Sequence, residues 1–210
     1  MKSKSLKEKK TVSIERILKA ASDVFSEMGY AGARMDEIAH RAGLNKAIIY
    51  YRIGDKKALY EAVLHNFFSA YAQRIVKKAK TGKNPVEKLK IFVRNTIRVV
   101  QQEGGVAPIM MRELASGTRT LPEVVAQDLA EIISTLAAIL KEGERSGVFI
   151  KTHPIFIHMM IVGTVSFYKL SSPVRVGIDQ ASGVLKMLNI DPLEDPGPVL
   201  EDYLLKMLKK

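Results

Sequence analysis

Apolar positions recur along this chain at intervals of three and four, the spacing of one helix face. The first stripe is Ile14, Ile17, Leu18, Ala21, Val24 and Phe25; Ser13 is its candidate N-cap and Gly29 its stop. A shorter helix is predicted over Met35–Ala42, with Ile38 and Ala39 inward, followed by a tight turn at Gly43 that favours positive φ. Asn45 is the expected cap of a third helix, Lys46 to Arg52, and Asp55 of a fourth, Lys56 to about Lys78. Asn84-Pro85-Val86-Glu87 then reads as a helix start with an Asn cap, a first-turn proline and a capping glutamate. That helix should reach Gln102 and break at Gly104-Gly105. Further helices are expected over 108–115, from Thr120-Leu121-Pro122-Glu123 to Gly147, over 154–170 and over 198–209. The segment 172–197, rich in Pro, Gly and Asp, predicts only a short helix near 181–188. No stretch reads as a strand, so the fold class is all-α.

The third helix has an unusual composition. At about 100° per residue, Lys46, Ala47, Tyr50 and Tyr51 share the side opposite Ile49 and Ile53. A helix, a glycine turn and a second helix form the helix-turn-helix pattern. Ile38, Leu44, Ile49 and Ile53 fill its interior, and the small Ala39 permits close approach. The outer side offers a cation and hydroxyls for phosphates, with flat rings for base edges. Lys56 and Lys57, at the start of the fourth helix, add a possible phosphate clamp. The plainer reading, an ordinary amphipathic helix pair, stays open on the pattern alone.

Charge sharpens the picture. The 210-residue chain carries a net +11, and +6 of it lies in residues 1–57, where thirteen Lys and Arg face seven Asp and Glu. That balance suits a polyanion, either nucleic acid or an anionic membrane. The segment 1–12 reads as a basic, disordered arm that either tracks a phosphate backbone or only aids solubility. Cysteine is absent, which excludes disulfides and thiol catalysis and fits a cytoplasmic location. The longest apolar run, Pro154–Tyr168, is short for a membrane span and contains His158. The four histidines, His40, His65, His153 and His158, have no metal-ligand spacing. No nucleophile elbow or phosphate loop is present, so neither enzyme, metal nor cofactor is expected.

Residues 13–64 resemble the DNA-binding domain of the tetracycline-repressor (TetR) family of bacterial transcription regulators. The resemblance rests on Ala20-Ala21 and Phe25, Gly29-Tyr30, Ile38-Ala39, Ala42-Gly43, Lys46, Tyr50, and Lys56 followed by Leu59. It implies a helix-turn-helix DNA-binding domain of three helices over 13–57 and a C-terminal helical ligand-binding and dimerisation domain over 58–210. It also implies phosphate contacts from Lys46, Tyr50 and Lys56, with Ala47 and Tyr51 near base edges. The chain departs from the family pattern at several positions. Arg34 replaces the usual hydroxyl cap of the second helix and is expected to reach a phosphate. Ile48 replaces a threonine and is expected either to meet a thymine methyl or simply to pack. Ile53 replaces a phenylalanine. Arg52 replaces His or Tyr and would strengthen a phosphate or guanine contact. With Asn45, the expected DNA-facing set is Arg34, Asn45, Lys46, Ala47, Ile48, Tyr50, Tyr51, Arg52 and Lys56.

The family resemblance also implies a homodimer, with 154–170 and 198–208 as the candidate interface helices. A small-molecule effector, with a mild preference for an apolar or aromatic one, is expected in a cavity lined by Phe67, Tyr71, Phe92, Thr96, Met110, Met111, Met159, Met160 and Phe167. Arg112, Glu113 and His158 are candidate polar anchors. Ordinary core remains the alternative for each of these residues. The functional expectation is a repressor released from a pseudo-palindromic operator by its effector, with no membrane partner. The alternative is a basic helical protein that binds DNA or an anionic membrane nonspecifically.

Overall fold

A computed structural model describes residues 2–102, 106–117 and 120–210, with side chains described from Ile14 onward. The expected break at Gly104-Gly105 lies outside the described residues. The helices are α1 (Lys2–Gly32), α2 (Met35–Ala42), α3 (Lys46–Arg52), α4 (Lys56–Ala79), α5 (Pro85–Gln102), α6 (Val106–Ala115), α7 (Glu123–Arg145), α8 (Pro154–Leu170), α9 (Ser172–Ser182), α10 (Val184–Met187) and α11 (Gly197–Leu208). Among the described residues there is no strand, only an isolated antiparallel bridge between Phe149 and Lys209.

Most expected boundaries hold, and the exceptions have local causes. Helix α1 starts at Lys2 rather than near Ser13, because no Gly or Pro interrupts the Lys, Ser, Leu and Glu residues ahead of Ser13. Gly29, expected to end the helix, instead kinks it with φ 70 and ψ 173. The segment 172–188 forms two helices rather than one. Pro173 sits in the first turn of α9, and Gly183 at φ 63 separates α9 from α10. At α5, Asn84 Oδ1 accepts from the Glu87 N–H at 2.9 Å, as a cap should, while Glu87 Oε2 accepts from Lys83 N–H rather than from Asn84.

The chain divides into two compact units. The first comprises Met1–Ala70 and Gly104–Leu129, the second Tyr71–Glu103 and Ala130–Lys210. In the first, Ile17, Val24, Phe25, Ile38, Ile49, Leu59 and Leu64 form a core without solvent exposure. Helix α1 packs on both α2 and α6. Helix α6 and the first turns of α7 belong with α1–α3 in this first unit, the head. In the second unit, α5 packs on α8 and α11. Leu89, Phe92, Val93, Ile132, Leu136 and Ile161 form its core. Two ion pairs fasten α5 to its neighbours: Lys88 with Glu142 at 2.7 Å and Arg94 with Glu201 at 2.6 Å.

Gly143 is required for close approach in this second core. A Cβ there would stand 1.9 Å from the Phe149 ring, and Phe149 is 2% exposed. The Gly143 carbonyl also accepts from Val148 and Phe149 N–H at 2.9 and 3.1 Å, so the ring has little room to retreat. Gly143→Ala is expected to destabilise the protein by roughly 1–3 kcal/mol through overpacking. Thermal denaturation by circular dichroism checks it, with Tm falling roughly 2–4 °C per kcal/mol.

Candidate nucleic-acid interface

The interface begins at the turn between α2 and α3. Gly43 closes α2 in the left-handed region (φ 62, ψ 39). Its N–H donates to the His40 carbonyl, and Leu44 N–H donates to that of Ala39, both at 3.0 Å. Arg16 crosses from α1 and donates from Nη2 to the Ala42 carbonyl at 2.7 Å. A Cβ on Gly43 would meet that nitrogen at 2.8 Å, a contact the flexible Arg16 side chain can relieve, so it is the positive φ that requires glycine. Asn45 caps α3 as expected, with Oδ1 accepting from the Ala47 N–H at 2.8 Å.

Helix α3 has one face in the core and the other in solvent. Ile49 is fully buried, whereas Tyr50 is 46% and Tyr51 90% exposed. Ala47 is exposed beside them, and Ile48 and Arg52 are half-buried. Two adjacent tyrosines of which one is almost fully solvated carry little of the fold, so their chemistry is directed outward.

The cations around α3 are more occupied than sequence suggests. Lys46 Nζ pairs with the Asp36 carboxylate at 2.9 and 3.0 Å, and that hydrogen bond raises its pKa above the usual lysine value. Lys56 Nζ donates to the Ala31 carbonyl at 3.2 Å and lies 4.9 Å from the Tyr30 ring centroid. Asp55 uses its side chain to cap the Ala58 N–H at 2.9 Å and its carbonyl to accept from Leu59, so part of the expected phosphate clamp serves α4 itself. Arg34 precedes α2, is exposed and makes no side-chain cap, which leaves its guanidinium outside the helix.

Sequence reasoning missed the residues that brace this surface. Arg41 donates to Glu27 from Nη1 and Nη2 at 2.7 and 2.8 Å and to Glu37 from Nε at 2.7 Å, which ties α2 to α1. Those bonds hold the Glu27 carboxyl below its usual pKa and the Arg41 guanidinium above its own. Phe25, Tyr30 and Tyr60 form an aromatic cluster with centroids 4.9 to 6.3 Å apart. Tyr60 donates to Glu113 Oε1 at 2.6 Å, and burial followed by that bond raises the Tyr60 pKa. Thr120 donates to the same oxygen, while Glu113 Oε2 is buried without a partner. Arg112 donates to the Glu27 carbonyl at 3.0 Å and lies against the Gly29 kink. Helix α6 is thus bonded to both α1 and α4 inside the head. These two α6 contacts join residues 53 and 85 positions apart, so no short-range spacing announces them.

The expected effector residues fall in different surroundings. Phe67, Met110 and Met111 belong to the first unit and are half-buried. In the second, Tyr71, Phe92 and Thr96 are core, with Tyr71 Oη donating to Thr96 Oγ1 at 2.8 Å and burial raising the Tyr71 pKa. Met160 is half-buried. Met159 and Phe167 are 54% and 70% exposed. They fall on a stripe of α8, Phe156, Met159, Gly163, Phe167 and Leu170, whose large members all face solvent. Val199, Tyr203 and Met207 form a second exposed stripe on α11. The second unit also has a polar groove of about 480 Å³, lined mainly by Arg94, Arg98, Gln101, Asp195 and Glu201, none of which the sequence marked. His158 is 4% exposed with both ring nitrogens unpartnered, and burial lowers its pKa to about 4. Among the described residues no His, Cys, Asp and Glu cluster suits a metal, and no single helix is long and apolar enough to cross a membrane.

Known proteins with this pattern agree with the geometry. Residues 17–63 match the family of bacterial regulatory proteins of the tetR type, and residues 82–169 match a tetracyclin repressor-like C-terminal domain. The transcriptional regulator RutR of Escherichia coli (strain K12) is 27% identical over 157 residues, which is 75% of this chain and 74% of RutR. The transcriptional repressor NicS of Pseudomonas putida is 28% identical over 137 residues, 64% of this chain and 65% of NicS. Two solved structures share the fold. The hemolysin II transcriptional regulator HlyIIR has a TM-score of 0.68 at 23% identity, covering 96% of this chain and 99% of that one. AibR, solved with isovaleryl coenzyme A and operator DNA, has a TM-score of 0.65 at 19% identity, covering 94% and 98%. With an intact helix-turn-helix, an outward-facing α3 and both domain matches in sequence, the chain belongs to the tetracycline-repressor (TetR) family and is a DNA-binding transcription regulator.

Proposed function

We propose that this protein is a homodimeric repressor that holds a pseudo-palindromic operator and releases it when a small molecule binds the C-terminal domain. The observation that carries the DNA half is the exposure of Tyr50 and Tyr51 on a helix whose other face is core. Tyr51 and Ala47 meet base edges in the major groove, and Ile48 lies beside a thymine methyl. Tyr50, Arg34, Arg52 and Lys56 bind phosphates. Lys46 exchanges Asp36 for a phosphate, a trade of one anion for another that costs little at an exposed site. The protein works in the cytoplasm, where bacterial DNA is.

Dimerisation uses the exposed stripes of α8 and α11. Large solvated side chains at helical spacing on two helices that both pack on α5 mark an association surface. A two-fold pairing presents two α3 helices about one DNA turn apart, ~34 Å. The effector has an apolar body, and the solved relatives holding stearoyl-CoA and isovaleryl coenzyme A support that class. Its differential affinity for two states of the protein lowers the affinity for DNA.

Selection of bound fragments from a random DNA pool, at about 150 mM salt because phosphate affinity is salt-sensitive, tests the reading. A pseudo-palindrome is the expected product. Unenriched DNA bound by a folded dimer would instead support nonspecific binding driven by the +11 charge.

A further inference from the structure

The second unit carries a lobe that has no core of its own. Helix α9 has eleven residues and α10 four, and neither buries one. Helix α9 leaves α8 at Ser171 with a bend of 53°. Val174, Gly177, Ile178 and Ala181 recur on it at helical spacing, and all are exposed. Val174 is 63% exposed, and beyond α9 Met187 reaches 77% and Leu193 66%. A helix this short is marginal in water unless its apolar face packs against something.

Polar bonds on the lobe's inner side hold it in place. The Arg175 guanidinium stacks 3.5 Å from the Tyr168 ring centroid. It donates to the Pro192 carbonyl at 2.9 Å, to Ser171 Oγ at 2.7 Å and to the Tyr168 carbonyl. Asp179 Oδ1 accepts from Lys186 N–H at 2.9 Å, and Asp195 Oδ1 accepts from Gln101 at the lobe's foot. The lobe is therefore fixed in shape while its apolar side is left open.

We propose that residues 172–195 form a second part of the homodimer interface and dock on the partner copy of this chain. The proposal rests on the reading of α8 and α11 as the dimer face. Only Ser171–Pro173 separate Leu170, the end of the exposed α8 stripe, from Val174. In a two-fold interface, a patch that continues the contact surface of one protomer flanks the same surface of the other. Charge selects a second copy over an anionic membrane. The lobe holds two basic and four acidic residues and is repelled by anionic lipid, whereas α8 and α11 of a second copy carry no net charge, Lys169 and Lys206 against Glu201 and Asp202, and do not repel it. The C-terminal family match ends at residue 169, so the lobe adds contact surface outside the matched domain.

The test uses the full chain. Val174→Asp/Ile178→Asp alters the lobe at exposed positions, and Phe156→Asp/Met159→Asp alters the α8 stripe. Sedimentation velocity over a dilution series gives the dimer Kd of each, and circular dichroism checks the helix content. The lobe variant is expected to raise Kd at least tenfold with helix content retained. A lobe variant that dimerises like the parent, while the α8 variant turns monomeric, overturns the lobe assignment and leaves the α8–α11 reading standing. If both variants dimerise like the parent, the α8–α11 reading fails and the lobe proposal with it. Hydrogen exchange on the unaltered protein gives an independent check. Amides of α9 should gain protection as concentration rises through the dimer Kd, and concentration-independent exchange there overturns the proposal. Lobe-dependent binding to phosphatidylglycerol vesicles, with the dimer Kd unchanged, overturns it in favour of a membrane.

Discussion

Tyr50→Ala/Tyr51→Ala is expected to weaken binding to the selected operator about a hundredfold while leaving the fold intact. The two tyrosines are 46% and 90% exposed, so their removal opens no cavity. The elements that set the angle of α3 lie elsewhere: the Gly43 closure, the Asn45 cap and the buried Ile49. Thermal unfolding should therefore shift little, as for a surface substitution of roughly 0.5 kcal/mol or less. Each ring contributes a contact worth about 1–1.5 kcal/mol at a base edge or phosphate, which together gives the two decades. Fluorescence anisotropy with labelled operator, at the salt used for selection, measures the loss. Lys46→Ala should behave differently, weakening operator and random DNA alike and reducing the salt slope by about 1. Unchanged operator affinity in the double tyrosine variant would remove α3 from the recognition surface.

What could be read from sequence follows the range of the interaction. Helix spacing, the Gly43 turn and the Asn45 cap are set within a few residues, so their identities announce them. The head was legible for that reason, from the Ile17–Phe25 stripe through Tyr51. Its braces were not. Arg16 reaches Ala42, Arg41 reaches Glu27 and Tyr60 reaches Glu113 over separations that only the fold brings together. Nor could the pattern tell a basic side chain bound to protein from one held open for DNA, as Lys46 and Lys56 illustrate. In the second unit the limit is different. An apolar residue at helical spacing looks the same whether it faces its own core, a cavity or another copy. Phe92 turned inward and Phe167 outward although both fit one apolar pattern. Residues 172–197 hid α9 because Pro173 read as a breaker when it starts that helix, and the single helix expected over 181–188 ran across Gly183, which separates α9 from α10.

His158→Leu is expected to make the protein more stable at pH 5 than the parent, and more so than at pH 7.5. The imidazole is 4% exposed and neither nitrogen has a partner, so the folded state holds it neutral at a desolvation cost. Burial depresses its pKa to about 4 in the fold, against about 6.5 in the unfolded chain. Between those values the unfolded state binds a proton that the folded state does not, so stability falls as pH drops from about 6.5 toward 4. Linkage sets the loss at about 2 kcal/mol by pH 5. Leucine is close to histidine in volume and has no titrating group, so both the loss and the standing cost of two unpartnered nitrogens disappear. Urea unfolding of parent and variant at both pH values isolates the effect, because carboxylates titrate alike in the two proteins and cancel in the difference. The variant should have the flatter profile between pH 7.5 and 5. A variant that tracks the parent at constant offset would mean that this imidazole already has a partner in the dimer or takes up its proton in the folded state.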